Sequence, residues 1–447
     1  MFCPFDEKEN DVKKTGLICL LVLLLVPTLY TFANGEDEGA ATGELTVWCW
    51  DPNFNGYSMK QAAAVYTAQN PDATINVVDI PENIEAKIEA GLQAGGVGLP
   101  DISLFQDFII EKFLQNYPGS FVDLKAEGID YSQFAPYKVG PMSEGESTYG
   151  IPFDTGATGF FLRTEVLEAA GLAPEDFYEG MTWAEVIALG EVVKAKTGKA
   201  LIAYDNTSFD FLRIMVQSTG EQFFRADGTV DYDTPAIKKS LGILKEMNEK
   251  GLLYMAEGWN NWIAAYNGVD DVDAAGFING VWIVGTLKSQ PENAGKWMVA
   301  PTPRLDGFEK GRNASNNGGS SWYVFSTTKA KTLAVDFLQN TWAGTSPEAL
   351  DFYNRILKDA GAMGTFLPSR EGSNYQAEDA FFYGSQPVFK DFSNWMAQVP
   401  VLKYTPNYSA MRIALNNAMQ LMYAGDLASV DDVVAAAATE YSQISGN

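Results

Sequence analysis

Glu44-Leu45-Thr46-Val47-Trp48-Cys49-Trp50 alternates along its length and runs straight into Asp51-Pro52-Asn53-Phe54-Asn55-Gly56, a string of turn-forming residues. Period-two alternation is the signature of a strand, and the residues after it predict a loop. Working outward, Ser58 to Gln69 is rich in Ala and stops at Asn70-Pro71, as a helix does. Thr74 to Ile80 reads as a second strand. Ile84, Ile88 and Leu92, at four-residue spacing, mark a second helix, and Asp101-Ile102-Ser103-Leu104-Phe105 a third strand. Strands alternating with helices over such short connections predict an α/β fold with a parallel sheet covered on both faces. Ligands of such sheets bind beyond the carboxyl ends of the strands, here Trp50 to Asn55 and Gln106-Asp107.

Further along, Thr182-Trp183-Ala184-Glu185 is a capping box, in which hydroxyl and carboxylate satisfy free N–H groups of a helix's first turn. Thr234-Pro235 opens another helix with Ile237, Leu241, Leu244 and Met247 on one face and Gly251 as its stop. At 447 residues and 46% hydrophobic, the chain is long enough for its core to divide into two lobes.

Composition excludes several functions. There is no His, so no Ser-His or Cys-His nucleophile and no His-containing zinc site can form. Cys3 and Cys19 fall in the leader, leaving Cys49 alone, which reads as a small buried hydrophobe. The formal charge of −26 opposes binding to nucleic acid or anionic lipid. Lys13 and Lys14 precede an apolar run from Leu17 to Leu29, and Thr31-Phe32-Ala33 offers a cleavage site. This order predicts a signal peptide over 1–33, followed by a flexible linker over 34–43. The run is shorter than the roughly 20 residues of a spanning helix. No Cys directly follows it to carry a lipid, so the expected location is the periplasm or cell surface, without a lipobox anchor.

Two carboxylates suffice for a glycosidase, and Asp51, Asp107, Asp154 and Glu257 all fall near predicted loops. Among 57 acidic residues, four such positions are what chance supplies. The acidic turns at 227–233 and 270–273 lack the spacing of a calcium-binding EF-hand and read as a surface hairpin and a solvated turn. Gly95-Gly96-Val97-Gly98 is not followed by Lys-Ser/Thr and is no phosphate loop. Aromatic residues say more. Trp48, Trp50, Trp259, Trp262, Trp282, Trp322, Trp395 and Tyr408 include several beside Asn, Asp or Gly, the mixture of ring faces and planar polar groups that grips a sugar. Any one of them taken alone reads as core.

Several segments, in order, resemble the family 1 extracellular solute-binding proteins of carbohydrate ABC importers, the group that includes maltose-binding protein. They are residues 44–51, Leu99-Pro100-Asp101-Ile102-Ser103-Leu104, Tyr149-Gly150-Ile151-Pro152-Phe153-Asp154 with Gly159 to Arg163, Ala274 to Trp282, Gly318 to Val324, and Phe366-Leu367-Pro368-Ser369-Arg370. The resemblance spans the chain from about residue 44 to its end. It implies a periplasmic-binding-protein type II-like fold, with two α/β lobes joined by three crossings. One lobe would hold 44–153 and 303–362, and the other 154–302 and 363–447. It implies further a non-catalytic, monomeric receptor that closes on a mono- or oligosaccharide, needs no cofactor or metal, and delivers the sugar to membrane permease subunits. Matched position by position, Asp107 falls at a hydroxyl-binding acid, Trp282 at a stacking Trp and Tyr408 at a C-terminal aromatic that closes over the sugar. Asn53 and Trp50 lie in the first-strand loop, and Asp154, Trp259 and Gly319 complete the implied site. Val281 departs from the family's usual Pro before Trp282. An exported carbohydrate-active enzyme using paired carboxylates and a ligand-sensing module for a membrane receptor are the alternative readings.

Overall fold

The alternating segment forms strand β1 (Gly43–Cys49), which buries Leu45, Val47 and Cys49 on one face. The computed structural model describes residues 42–445, apart from Pro81 and the side chain of Trp259. The expected signal peptide and most of the expected linker therefore lie outside the described residues. After β1 come β2 (Ala73–Asp79), β3 (Ile102–Gln106), a small hairpin of β4 (Ser143–Glu144) and β5 (Ser147–Thr148), and β6 (Gly150–Pro152). The later strands are β7 (Thr158–Arg163), β8 (Ala200–Asp205), β9 (Leu253–Ala256), β10 (Ala274–Gly280), β11 (Trp297–Pro301) and β12 (Ser320–Val324).

These strands build two five-stranded sheets, β2-β1-β3-β12-β6 and β11-β7-β10-β8-β9, each the centre of one lobe. The sheets are mixed rather than all parallel. β1 pairs parallel with β2 and β3, and β8 with β9 and β10, but β12 runs antiparallel to β3 and β6. The reason lies in the route of the chain. β12 enters the first sheet from the other lobe, at the edge where β3 ends, and can only run back against it.

Helix signals in the sequence are met where expected. Thr182 caps Trp183–Thr197 reciprocally with Glu185, at 3.3 and 2.7 Å. Thr234 caps Pro235–Glu249, whose Ile237, Leu241, Leu244 and Met247 are fully buried. Residues 224–230 close a short turn through a bridge between Phe224 and Val230.

Three stretches cross between the lobes and are stitched to one another. Asn317 N–H donates to Gly156 O (2.7 Å), Gly156 N–H to Asn316 Oδ1 (3.0 Å) and Thr155 N–H to Met363 O (2.8 Å). Thr158 N–H donates to Ser315 O at 2.9 Å and Phe153 N–H to Ser320 O at 3.0 Å. The middle crossing falls later than residue 303. Arg304 N–H bonds Met181 O at 2.9 Å, Leu305 is buried in the second lobe's core, and Asn313 Nδ2 also bonds Met181 O at 2.7 Å. The contacts thus keep 304–313 beside the second sheet, because β11 leaves the chain on that lobe's outer edge and it must return along it.

Close stitching leaves no room at Gly156, where a Cβ would sit 2.0 Å from Asn317 O. Backbone on both sides is fixed by the bonds just described, so neither strand can give way. Gly156→Ala is expected to lower unfolding stability by about 2–3 kcal/mol, the scale of overpacking in a rigid site. Urea denaturation monitored by tryptophan fluorescence reads this directly.

Candidate functional site

A cavity of ≈ 560 Å³ lies between the sheets. From the first lobe it takes Gln106, the last residue of β3, with Phe108 and Ile109 just beyond, and Glu85 in the first turn of the helix Ile84–Gln93. From the second it takes Ala203 to Asp205 at the end of β8, Ile278 and Asn279 at the end of β10, and Trp282 in the turn that follows. Asp210 and Arg213 come from the helix Asp210–Ser218, and Arg412 from the helix Tyr408–Ala424. Asn317 and Gly318, in the middle crossing, line it too. The cavity thus sits at carboxyl strand ends, where the edge of an α/β sheet offers free backbone groups and loops.

Its inner surface is tightly organised by Asn317. Trp282 Nε1 donates to Asn317 O (2.8 Å), and Asn317 Nδ2 donates to Asn279 Oδ1 (2.8 Å). Asn317 Oδ1 accepts from the Arg213 guanidinium, which also donates to Asn316 O (2.8 Å) and Asp210 Oδ1 (3.2 Å). Arg213 is 3% exposed. Burial works against its charge, yet Tyr408, Tyr404 and Asp210 outweigh that and hold the guanidinium protonated more firmly than usual. Trp282 can fold back on this crossing because β10 ends in Gly280, where a Cβ would lie 2.4 Å from Trp282 Nε1. Val281 in place of the family's Pro fits the same turn, since its N–H donates to Ala157 O at 2.9 Å, a bond Pro cannot make. Trp262 Nε1 donates to Ala203 O at 3.0 Å, fixing a second indole in the wall.

Such a surface mixes fixed aromatic faces (Phe108, Phe211, Trp262, Trp282) with amides and carboxylates at Gln106, Asp205, Asn279 and Asn317. Chemically this suits a neutral, polyhydroxylated ligand, stacked on rings and hydrogen-bonded at its edges. Among the described residues, no group of three or more His, Cys, Asp or Glu side chains could hold a metal ion. No helix among them is long and apolar enough to cross a membrane.

The model of the bacterial extracellular solute-binding protein family matches residues 61–379. The chain belongs to that family. Members similar to it include the lactose-binding protein of Rhizobium radiobacter, 43% identical over 368 residues, covering 82% of this chain and 85% of that protein. The arabinooligosaccharide-binding protein of Bacillus subtilis is 25% identical over 340 residues, covering 73% of this chain and 76% of its own length. Among solved structures, the sugar-binding protein MalE of Xanthomonas citri shares the fold with a TM-score of 0.73 at 19% identity, covering 90% of this chain and 97% of that one. The galacto-N-biose/lacto-N-biose I-binding protein of Bifidobacterium longum shares it with a TM-score of 0.70 at 19% identity, covering 91% and 98%. These solute-binding proteins are built on the same two-lobed type II plan.

Of the eight residues implied by resemblance, Trp282 lines the cavity. Asp107 does not line it. Its carboxylate is 4% exposed, paired with the fully buried Lys138 ammonium, and accepts the Ser321 hydroxyl at 2.9 Å. It faces instead a water-sized void of ≈ 10 Å³ shared with Tyr137 and Tyr404. Asp154 is buried in the first crossing, where Ser320 N–H donates to it at 2.7 Å, and Gly319 packs against Lys138 and Asp107. Trp50 is half-buried against the first lobe's core. Asn53 is exposed beside a separate groove with Lys288 and Asp359. Tyr408 is 2% exposed, packed edge-on against Tyr404. Trp259 opens the helix Trp259–Asn267, its side chain lying outside the described residues. Sequence reasoning missed Phe108, Asp205, Asp210, Arg213, Asn279, Asn317 and Arg412. One legible signal was Arg213, a lone charge inside the apolar run Phe211-Leu212-Arg213-Ile214-Met215-Val216.

Burial pushes the Asp154 carboxyl up to about 6, with Lys138 working against this and Asp107 adding to it. The folded state therefore holds a proton on Asp154 at pH values where the unfolded chain has lost it. Its contribution to stability is full below about pH 4 and is lost as pH rises through about 6. Asp154→Asn removes that loss while keeping an oxygen for Ser320 N–H. The variant's stability relative to the parent is expected to rise steadily between pH 4 and pH 7, as read by urea midpoints across a pH series.

Proposed function

We propose that this chain is the extracytoplasmic receptor of an ABC importer, and that its ligand is a disaccharide of the lactose kind. The observation that carries this reading is the relative named for lactose binding, 43% identical across most of both chains, combined with a cavity lined by rings and amides. At ≈ 560 Å³ the cavity falls inside the roughly 300–1,000 Å³ range of small-molecule sites. Export to the periplasm or cell surface, a monomeric state and partnership with permease subunits belong to the same reading.

Binding proceeds by differential contact. In an open clamp, Gln106 and Phe108 on one lobe and Asn279 and Trp282 on the other are half-sites. A sugar touching both adds stacking and hydrogen bonds that exist only when the lobes are together, and so favours the closed state. The lobes turn about the three crossings, with 44–153 and the chain after the middle crossing in one body and 158–313 and the C-terminal helices in the other. Asp107 and Asp154 brace the crossings rather than grip the sugar. In this reading no bond is made or broken, and Asp210, one carboxylate of the cavity, is committed to Arg213.

Isothermal titration with lactose, followed by mass spectrometry of the recovered sugar, tests this. Saturable binding with lactose returned intact is expected, and Trp282→Ala is expected to weaken it about tenfold, the scale of a lost aromatic contact. Recovery of galactose and glucose would make the chain an enzyme. Binding of a different solute with none for lactose would remove the proposed ligand.

A further inference from the structure

Phe108 belongs to the first lobe, two residues beyond β3, yet its ring packs against the hydrophobic core of the second. There it meets Tyr408, ring centroids 5.9 Å apart, and the Arg412 guanidinium lies over it, 5.6 Å from the centroid. Tyr408 and Arg412 are one turn apart at the start of the helix Tyr408–Ala424, which packs with the second lobe. Arg412 also acts on the charge of Glu85, on the first lobe's helix Ile84–Gln93. Phe108, Glu85 and Arg412 all line the cavity. One aromatic contact and one cation–π contact therefore span the two lobes at the ligand site itself.

We propose that Phe108 and Arg412 form a clasp that fastens the lobes to each other and thereby sets ligand affinity, acting as positioning residues for the closed site. This rests on the reading of the chain as a two-lobed receptor. A half-buried side chain of one lobe that packs against the other's core must be withdrawn whenever the clamp opens, exposing apolar surface and stripping the guanidinium of its ring. Clasp strength then biases the ligand-free equilibrium toward closure. It also slows release, because the clasp breaks on the way out, while leaving entry nearly unchanged. Affinity is in this way adjustable without altering any group that hydrogen-bonds the sugar.

The test separates fastening from direct contact with sugar by measuring the ligand-free protein. Small-angle X-ray scattering of the mature chain without sugar is expected to give a larger radius of gyration for Phe108→Ala than for the parent, and an intermediate value for Arg412→Gln. Both variants are expected to melt close to the parent. Stopped-flow fluorescence with lactose as probe is expected to show dissociation about tenfold faster in Phe108→Ala and less accelerated in Arg412→Gln, with association within about twofold of the parent. Unchanged scattering in both variants would overturn the clasp, even if lactose affinity fell, since direct contact alone would then explain the loss. If the parent failed to bind lactose while Phe108→Ala still expanded, the clasp would stand and the proposed ligand would not.

Discussion

Asn317 N–H to Gly156 O, at 2.7 Å, joins two of the three crossings, and the arrangement of the cleft hangs on it. With that bond made, the Asn317 carbonyl is aimed at Trp282 and its side chain is held between Asn279 and Arg213. Three cavity residues from two other chain segments are thus oriented by one asparagine. The floor of the ligand site and the pivot of the lobes are the same piece of backbone. A hinge built as backbone hydrogen bonds between crossings can rotate without losing them, and the site floor travels with it. In the proposed clamp the walls turn while this floor stays hydrogen-bonded.

Behind that floor sits a buried polar cluster of Asp107, Lys138 and Asp154, three ionisable groups at 5% exposure or less. Burial of charge is costly unless it is paired and hydrogen-bonded. Lys138 answers both carboxylates, Ser321 and Ser320 supply donors, and burial still pushes both Asp107 and Asp154 up. Such a cluster contributes little net stability. It fixes the register in which β3, β12 and the first crossing meet, since a slip of one residue would strand a charge without its partner. The contrast with the cavity is instructive: there Glu85, Asp205 and Arg412 keep exposed surface at the edge, whereas here the charged groups are sealed in.

Much of the fold was legible in sequence because it rests on local periodicity. The alternation at 44–50, the capping box at Thr182 and the apolar face from Ile237 to Met247 each became the element expected. The two-lobed plan came from the order of several short segments resembling one family. Sheet direction was less legible, since β12 joins the first sheet only after the chain has visited the other lobe, and no local pattern records that detour. Site residues were hardest. Trp282 was reachable by position, but Asp107 sits where a free acid was expected and is instead neutralised by Lys138, 31 residues away in sequence. Asn317 and Phe108 carry no signal of their own. One looks like part of a polar loop and the other like an ordinary core aromatic, and only the meeting of distant segments gives them their roles.

The measurement that bears most directly on the account is a crystal structure of the mature chain grown with lactose. Intact disaccharide is predicted between the lobes, against Trp282 and Phe108, with hydrogen bonds to Gln106 from one lobe and Asn279 from the other. Lactose confined to a single lobe, or seated in the groove beside Asn53 and Lys288, would contradict a clamp that closes by being bridged.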